Sequence, residues 1–286
     1  MNVRTDLAIE QICEINQENG IKKTDKTTNG ILTVEIEILN KKASQQIKKP
    51  MGRYLTIHLN SMQNSLANFE NIIKTFATNL KSLLDENIKS ALIVGLGNDS
   101  ITPDALGTMT IKNIFATRHI KKSIQDEIGL VGIFPVCAIA PGVLGQTGIE
   151  SAEIVNSLVK TCKPDVVIVV DALAAKEIAR LGNTIQLSNI GISPGSGVLN
   201  ARAMINEETL GVPVISVGVP MVVDMATIAQ DLFSCTLKES EKYQSIMVTP
   251  REIDVMIEHC SKLIGYGINL ALQPNLSLDE IIALVS

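Results

Sequence analysis

The sequence contains no tryptophan, and three tyrosines with five phenylalanines give an aromatic content of only 3%. Proteins that bind single-stranded nucleic acid stack the bases on aromatic side chains, and few are available here. The formal net charge of -5 also provides no basic surface for phosphate groups. We therefore predict that the protein makes no direct contact with nucleic acid.

Cysteine and histidine are equally sparse. The cysteines are Cys13, Cys137, Cys162, Cys235 and Cys260. They are dispersed, odd in number and without the short spacings of zinc or redox motifs, which is typical of a reducing cytoplasm. The histidines are His58, His119 and His259, and none stands at ligand spacing from another histidine or a cysteine. We predict a cytoplasmic protein with no cofactor and no bound metal.

A long hydrophobic run that would span a membrane is missing too. Residues 128–149 carry no charge, but Pro135, Pro141 and five glycines interrupt them. Proline breaks a spanning helix, so a buried strand followed by a tight loop fits this segment better. Residues 1–10 carry several charged side chains and do not have the pattern of a signal peptide. We predict no contact with a membrane.

Apolar residues make up 45% of the chain, whereas charged residues make up 19%, which indicates a compact core. The predicted strands are residues 31–39, 53–59, 91–96, 132–140, 166–170, 185–188 and 212–217. The predicted helices are residues 64–87, 102–119 and 147–162, with two more that begin near residues 249 and 277. This alternation predicts an α/β fold: a single three-layer αβα domain with a mixed, mostly parallel sheet and helices on both faces.

Several local patterns complete this prediction. Residues 1–30 are polar and are predicted to be irregular, and the basic run 41–49 is predicted to be a solvated loop. Thr102 is predicted to cap a helix that has Pro103 at its first position and Asp104 at its second. The patterns Thr147-Gly-Ile-Glu150 and Thr249-Pro-Arg-Glu252 predict two further capped helix starts.

Two aspartates follow apolar strand patterns, and each opens the tripeptide Asp-Ala-Leu. Asp104 comes after the strand 91–96, and Asp171 comes directly after the strand 166–170. Open α/β sheets bind ligands at the carboxyl ends of parallel strands, so we expect the two carboxyl groups to converge there. One ionised and one protonated carboxyl can deprotonate water and protonate a carbonyl or leaving amine. Ordinary helix capping and strand-end roles remain the alternative for each aspartate.

The glycine-rich loop 191–200 offers weaker chemistry. Ser196 lies between Gly195 and Gly197, but the spacing G-x-S-x-G of a nucleophilic serine is missing. The lysine of a phosphate-binding P-loop is missing as well. We interpret Gly195, Ser196 and Gly197 as a tight turn or as a loop that faces the substrate.

With these residues in place, the sequence resembles the germination proteases of bacterial endospores over nearly its whole length. The motifs that carry the resemblance are Val3-Arg-Thr-Asp-Leu-Ala8, Gly95-Leu-Gly-Asn98, Thr102-Pro-Asp-Ala-Leu-Gly107, Ala140-Pro-Gly-Val-Leu-Gly-Gln-Thr-Gly-Ile-Glu150, Val170-Asp-Ala-Leu-Ala174, Ser193-Pro-Gly-Ser-Gly-Val198, Gly218-Val-Pro220, Val248-Thr-Pro250 and Gly267-Ile-Asn269. Matches of this length in the same order are not expected by chance.

The resemblance implies a sequence-specific endopeptidase of an atypical aspartic type. Such enzymes degrade small acid-soluble spore proteins during germination, in the cytoplasm of the spore core or developing forespore. The two proposed catalytic aspartates of the family fall on Asp104 and Asp171. The resemblance further implies a fold like that of hydrogenase-maturation peptidases and a homotetrameric assembly.

The resemblance also implies a zymogen that processes itself. The family's processing site has an acidic residue, a large apolar residue and then alanine, which match Asp6, Leu7 and Ala8. Cleavage is therefore expected between Asp6 and Leu7, with residues 1–6 as the pro-segment and residues 7–286 as a single peptidase domain. Taken without the resemblance, the same pattern is equally consistent with an unstructured tail.

Two other functions stay open at this point. A metal-dependent peptidase of the maturation type would lose activity with a chelator and regain it with a divalent ion. A non-catalytic protein that sequesters a spore DNA-coat protein would bind without cleaving. The sparse histidines and the repeated Asp-Ala-Leu favour the aspartate-based peptidase.

Overall fold

A mixed β-sheet with helices on both faces forms the computed structural model, which describes residues 5–12, 20–59, 66–127, 130, 132–194, 203–233 and 246–285. The strands are β1 Ile21–Thr28, β2 Ile31–Ile38, β3 Gly52–His58, β4 Ala91–Gly95, β5 Val136–Ile139, β6 Val166–Ala175, β7 Thr184–Ser188, β8 Val214–Asp224 and β9 Met247–Val248. The helices are α1 Ala8–Ile12, α2 Lys41–Ile47, α3 Leu66–Lys81, α4 Leu106–Ile111, α5 Lys122–Glu127, α6 Leu144–Thr147, α7 Ser151–Cys162, α8 Glu207–Leu210, α9 Met225–Phe233, α10 Ile253–Leu272 and α11 Leu278–Val285.

The strands follow the order β1-β2-β3-β7-β8-β6-β4-β5, and β9 pairs with β8. Strands β8, β6, β4 and β5 are parallel to one another. In the other half of the sheet, where the order is β1-β2-β3-β7-β8, each strand is antiparallel to its neighbours. The predicted mixed α/β sheet is therefore confirmed. Of the strand pairs in the described residues, three are parallel and lie together in the half that contains β4 and β6, and five are antiparallel.

Strand β6 shows why the domain has three layers. Val166, Ile168 and Val170 belong to the core that contains the buried residues of α3 and α10. Val167 and Val169 point to the other face and belong to the cluster that contains α7. Side chains alternate along a strand, so a continuous apolar run buries both faces, and each such side chain contributes about 1.5–3 kcal/mol. No helix in the described ranges is both long and apolar enough to cross a bilayer.

The prediction that residues 1–30 are irregular is wrong for residues 8–12, which form α1, and for residues 21–28, which form β1. Strand β1 forms a hairpin with β2 across Asn29 and Gly30, whose φ angles are 52° and 77°. Two consecutive residues with positive φ give a turn whose twist matches the strands, and Asn-Gly is typical of it. The pattern was missed because β1 is almost wholly exposed and lacks the apolar alternation of a half-buried strand.

The basic run 41–49 is not a solvated loop. It forms α2, which begins after Asn40, and the Asn40 side chain accepts the N–H of Ala43 at 2.9 Å. Ala43 and Ile47 stand four residues apart and are both buried, which is the spacing of a helix face. Lys49, just after the helix, is half-buried and donates to backbone carbonyls.

The predicted helix starts at Thr102 and Thr147 are also wrong. The helix expected over residues 102–119 is instead a 3-10 turn, Thr102–Asp104, followed by α4, which ends at Ile111. Thr147 ends α6 rather than capping α7, because the next residue, Gly148, takes a left-handed conformation.

The cap predicted at Thr249 and the helix start predicted near residue 277 have different outcomes. Helix α10 begins at Ile253, and its N-cap residue Glu252 makes no side-chain capping bond. The pattern that starts at Thr249 therefore does not cap it. At the start of α11, the Glu280 carboxylate accepts the Ser277 N–H at 2.8 Å, and the Ser277 hydroxyl oxygen accepts the Glu280 N–H at 3.3 Å. The predicted final helix is confirmed.

Candidate active site

Asp171 lies inside β6 and not at its end. The strand continues through Asp171 to Ala175, since β6 pairs with β8 beyond the end of β4. The last pair between β4 and β6 joins Gly95 to Val170, so Asp171 is the first residue of β6 without a β4 neighbour. Asp171 is only 7% exposed, and its carboxyl group accepts the N–H of Ala172 at 2.9 Å. Asp171 is therefore buried at the point where β6 extends beyond the end of the shorter strand β4.

Asp104 is carried by the segment between β4 and α4. It is the last residue of the 3-10 turn Thr102–Asp104 and is half-buried. Its Oδ2 atom accepts the backbone N–H of Asn98 at 2.9 Å. A hydrogen bond donated to a carboxylate favours the ionised form. The donor belongs to the loop that precedes the 3-10 turn.

Two glycines bring this turn against the sheet. A Cβ atom on Gly107 would overlap the carbonyl oxygens of Leu96 and Val170. A Cβ atom on Gly95 would overlap the backbone of Gly107. The backbone of α4 therefore lies directly on the ends of β4 and β6. Because Gly107 follows Asp104 by three residues and Val170 precedes Asp171, this contact fixes the two acids relative to each other.

Asp104 and Asp171 line the same cleft, which has a volume of about 570 Å³. Burial, followed by the charges of Asp104 and Asp6, raises the pKa of Asp171 well above its ordinary value. The structure thus brings together the two aspartates that the sequence singles out, and it adds Asp6 beside them. Each carboxyl group accepts one backbone N–H, but Asp171 is the more buried of the two, and its raised pKa favours the protonated form.

Residues 5–12 lie across this edge of the sheet. The Asp6 N–H donates to the carbonyl of Ala174 at 2.9 Å, and Asp6 Oδ2 accepts the Ala174 N–H at 2.9 Å. Leu7 and Ala8 are 0% exposed and belong to a core cluster with residues of β2 and α2. Side chains that are completely buried show that this segment is docked against the rest of the domain. The alternative of an unstructured tail is wrong for residues 5–12.

The peptide bond between Asp6 and Leu7 is held by side chains from outside the segment. Its carbonyl oxygen accepts Lys49 Nζ at 2.9 Å and Gln186 Nε2 at 3.1 Å. Gln186 Oε1 accepts the N–H of Ala8 at 2.7 Å. One glutamine therefore holds the chain on both sides of this bond.

Glu10 anchors the segment further along. Its carboxylate oxygens accept the backbone N–H groups of Lys176 and Glu177, each at 2.9 Å. Arg180 Nε lies 3.2 Å from Glu10 Oε1, and the Thr5 hydroxyl also donates to Glu10. The Glu10 side chain is completely buried, so these partners replace the water that its charge would otherwise need.

We expect Glu10→Gln to weaken the docking of residues 5–12 by about 1–3 kcal/mol, because the buried carboxylate loses its charge and one of the two oxygens that accept the Lys176 and Glu177 N–H groups. The exchange protection of the Ala8 amide, measured by hydrogen exchange, should fall accordingly. Glu258→Gln is the control, since its ion pair with Lys262 is exposed and screened by solvent. Unchanged Ala8 protection in Glu10→Gln would contradict an anchoring role for Glu10.

The site offers carboxyl groups rather than a metal-ligand set. In the part of the chain that the structure describes, no three His, Cys, Asp or Glu side chains cluster as a metal site requires. Within the described residues the cleft therefore brings together three carboxyl groups, those of Asp6, Asp104 and Asp171.

Two residues that contact the Asp6 carbonyl, Lys49 and Gln186, are not predicted as site residues by the sequence. Gly195, Ser196 and Gly197 lie outside the described residues, so the substrate-facing loop stays a prediction. Lys49 was missed because the basic run was interpreted as solvent-exposed. Gln186 offered a signal that was not used, since it is a polar residue inside the strand Thr184–Ser188, whose every residue is buried.

The chain is similar to known proteins over nearly its full length. A family model described as germination protease matches residues 3–244. The germination proteases of Clostridium acetobutylicum and Clostridium perfringens (strain SM101) are 41% and 43% identical to it, over 98% of this chain and 98% of theirs. That of Geobacillus sp. (strain WCH70) is 35% identical over 98% of this chain and 96% of its own.

Among solved structures, a [NiFe] hydrogenase maturation protease HycI from Thermococcus kodakarensis KOD1 is similar at a TM-score of 0.38 and 17% identity. The alignment covers 66% of this chain and 98% of that one. A similarity this low supports no inference about the present chain. The sequence relatives carry the assignment by themselves, and by them this chain belongs to the germination protease family of peptidases.

Proposed function

We propose that the chain is a sequence-specific endopeptidase in which Asp104 and Asp171 act together on a water molecule. The observation that carries this proposal is that Asp6, the first residue of the acidic-apolar-alanine segment, lines the cleft that both aspartates line, while Leu7 and Ala8 are buried next to it. The acidic residue of the expected cleavage motif therefore lies at the same cleft as the two acids.

The two acids would divide the work according to their environments. Asp104, ionised beside the Asn98 N–H, takes a proton from the water as its oxygen attacks the carbonyl carbon. Asp171, whose pKa burial and neighbouring charges raise, gives its proton to the leaving nitrogen when the C–N bond breaks. After one cleavage Asp104 holds the proton taken from water and Asp171 is ionised, so a proton must pass from Asp104 to Asp171 before the next cleavage.

We propose that the docked segment is the site of self-processing, with residues 1–6 as the pro-segment and residues 7–286 as the peptidase domain. Small acid-soluble spore proteins would be the substrates during germination, cleaved after an acidic residue that precedes a large apolar residue and alanine. The family membership supports these proposals, and with them a homotetramer in the cytoplasm of the spore core or forespore.

The full-length chain should release residues 1–6 on incubation, and mass spectrometry of the two products measures the rate. We expect Asp104→Asn to slow this cleavage by about 10³-fold or more, because asparagine cannot act as a base. Asp99→Asn, at an exposed position of the same loop, is the control and should cleave normally. A normal rate in Asp104→Asn would contradict the two-aspartate mechanism.

The same assay separates the two alternative functions. Loss of cleavage with a chelator, restored by a divalent ion, would favour the metal-dependent peptidase. Stoichiometric binding of a small acid-soluble spore protein without cleavage products would favour the non-catalytic binder. The proposal requires products from that protein in the presence of chelator, with the cut after an acidic residue.

A further inference from the structure

Two side chains from different elements donate hydrogen bonds to the carbonyl oxygen of Asp6. Lys49 follows α2, and Gln186 lies on β7, yet their nitrogen atoms are 2.9 Å and 3.1 Å from this oxygen. An ordinary exposed carbonyl is hydrated by water and needs no such pair. Two donors aimed at one carbonyl oxygen are the geometry that stabilises negative charge on that oxygen.

Lys49 brings a charge into a site where its effect is strong. Burial lowers the pKa of Lys49, while the negative charges of Asp6 and Glu10 oppose this shift. The net pKa of Lys49 is lowered because burial outweighs the attraction of these two acids for the ammonium form. In such a site an ammonium group interacts with a developing oxyanion more strongly than it would in bulk solvent.

Gln186 fixes the geometry of the same bond. Its Nε2 atom donates to the Asp6 carbonyl, and its Oε1 atom accepts the Ala8 N–H at 2.7 Å. With the hydrogen bonds between Asp6 and Ala174, the chain is held on both sides of the peptide bond. Preorganised donors of this kind need no rearrangement when the charge forms.

We propose that Lys49 and Gln186 are catalytic residues that stabilise the oxyanion formed when water attacks the Asp6 carbonyl. This inference rests on the proposed function. As the new C–O bond forms, the carbonyl π electrons move to the oxygen, and Lys49 and Gln186 donate to the resulting O⁻. As the C–N bond breaks, those electrons restore the carbonyl, and the proton of Asp171 passes to the Leu7 nitrogen. No acid then needs to protonate the carbonyl, so Asp171 keeps its proton for the leaving amine.

The rate of release of residues 1–6 from the full-length chain tests this proposal. Lys49→Met keeps an unbranched side chain but removes the charge and the donors, and the rate should fall by about 10²–10³-fold. Lys49→Arg restores a cationic donor and should recover most of that loss. Gln186→Glu keeps an acceptor for Ala8 but removes the donor, and we expect a fall of about 10²-fold. Lys42→Met, on the exposed face of α2, is the matched control.

Hydrogen exchange at Ala8 distinguishes catalysis from mere docking. The proposal expects the Ala8 amide to stay protected in Lys49→Met while cleavage slows. If the protection is lost in proportion to the rate, Lys49 only anchors the segment and the proposal is overturned. A normal rate in both Lys49→Met and Gln186→Glu would also overturn it while leaving the two aspartates intact. Absence of cleavage in the unmodified chain would instead count against the proposed function.

Discussion

Replacing Asp171 with asparagine is expected to abolish cleavage of the Asp6–Leu7 bond, with a loss of about 10³-fold or more, and to stabilise the folded chain at neutral pH. Asparagine has nearly the same shape and can still accept the Ala172 N–H, but it has no proton to give to a leaving amine. It also removes an acid whose ionised form burial and the charges of Asp104 and Asp6 disfavour. Few substitutions at a buried position both remove activity and increase stability.

The stability difference should depend on pH with a definite sign. Because the folded state raises the pKa of Asp171, the folded chain binds this proton more tightly than the unfolded chain. The stabilising contribution is fully present below the ordinary aspartate pKa and is lost as pH rises through the folded-state pKa. The free energy of unfolding of the unmodified chain should therefore fall relative to Asp171→Asn over that window.

Denaturant unfolding at a series of pH values, together with the cleavage assay, measures both parts of this prediction. Asp99→Asn is the control, since Asp99 is exposed and should change neither the rate nor the stability. Cleavage at the normal rate by Asp171→Asn would remove this aspartate from the mechanism. If the difference in the free energy of unfolding between the two chains does not vary with pH, the pKa of Asp171 is not raised in the folded chain.

Gly107→Ala should cause the second large effect, a loss of about 2–3 kcal/mol in the free energy of unfolding. The new methyl group would overlap the carbonyl oxygens of Leu96 and Val170, which are backbone atoms and cannot rotate away. Helix α4 would have to move off the ends of β4 and β6. Since this contact sets Asp104 against Asp171, we also expect cleavage to slow by about 10²-fold.

Gly145→Ala is the matched control for this substitution. Gly145 lies in α6, has no atom within 4 Å of an added Cβ and is not among the glycines with positive φ. Its replacement should leave stability and cleavage nearly unchanged. Thermal unfolding and the cleavage assay are sufficient for both variants. If Gly107→Ala were as stable and as active as Gly145→Ala, close backbone packing would not be what positions the two acids.

Local patterns of the sequence were sufficient for the strands that form the middle of the sheet. The runs that became β4 and β6 are apolar without interruption, because both faces of those strands are covered by helices. Local sequence patterns gave wrong predictions for an exposed strand and for a helix cap. Strand β1 is polar because it is an exposed edge, and Thr147 ends one helix instead of starting the next.

The sequence by itself was sufficient to locate the two aspartates, the acidic-apolar-alanine segment and the alternation of strands with helices, since each is a pattern of neighbouring residues. Only the tertiary structure decided that Asp171 lies inside a strand beside Asp104, and that Lys49 and Gln186 meet on the Asp6 carbonyl. Those contacts join residues that are far apart in the chain. They depend on strand order and on the close approach that Gly95 and Gly107 permit, and no local pattern encodes either.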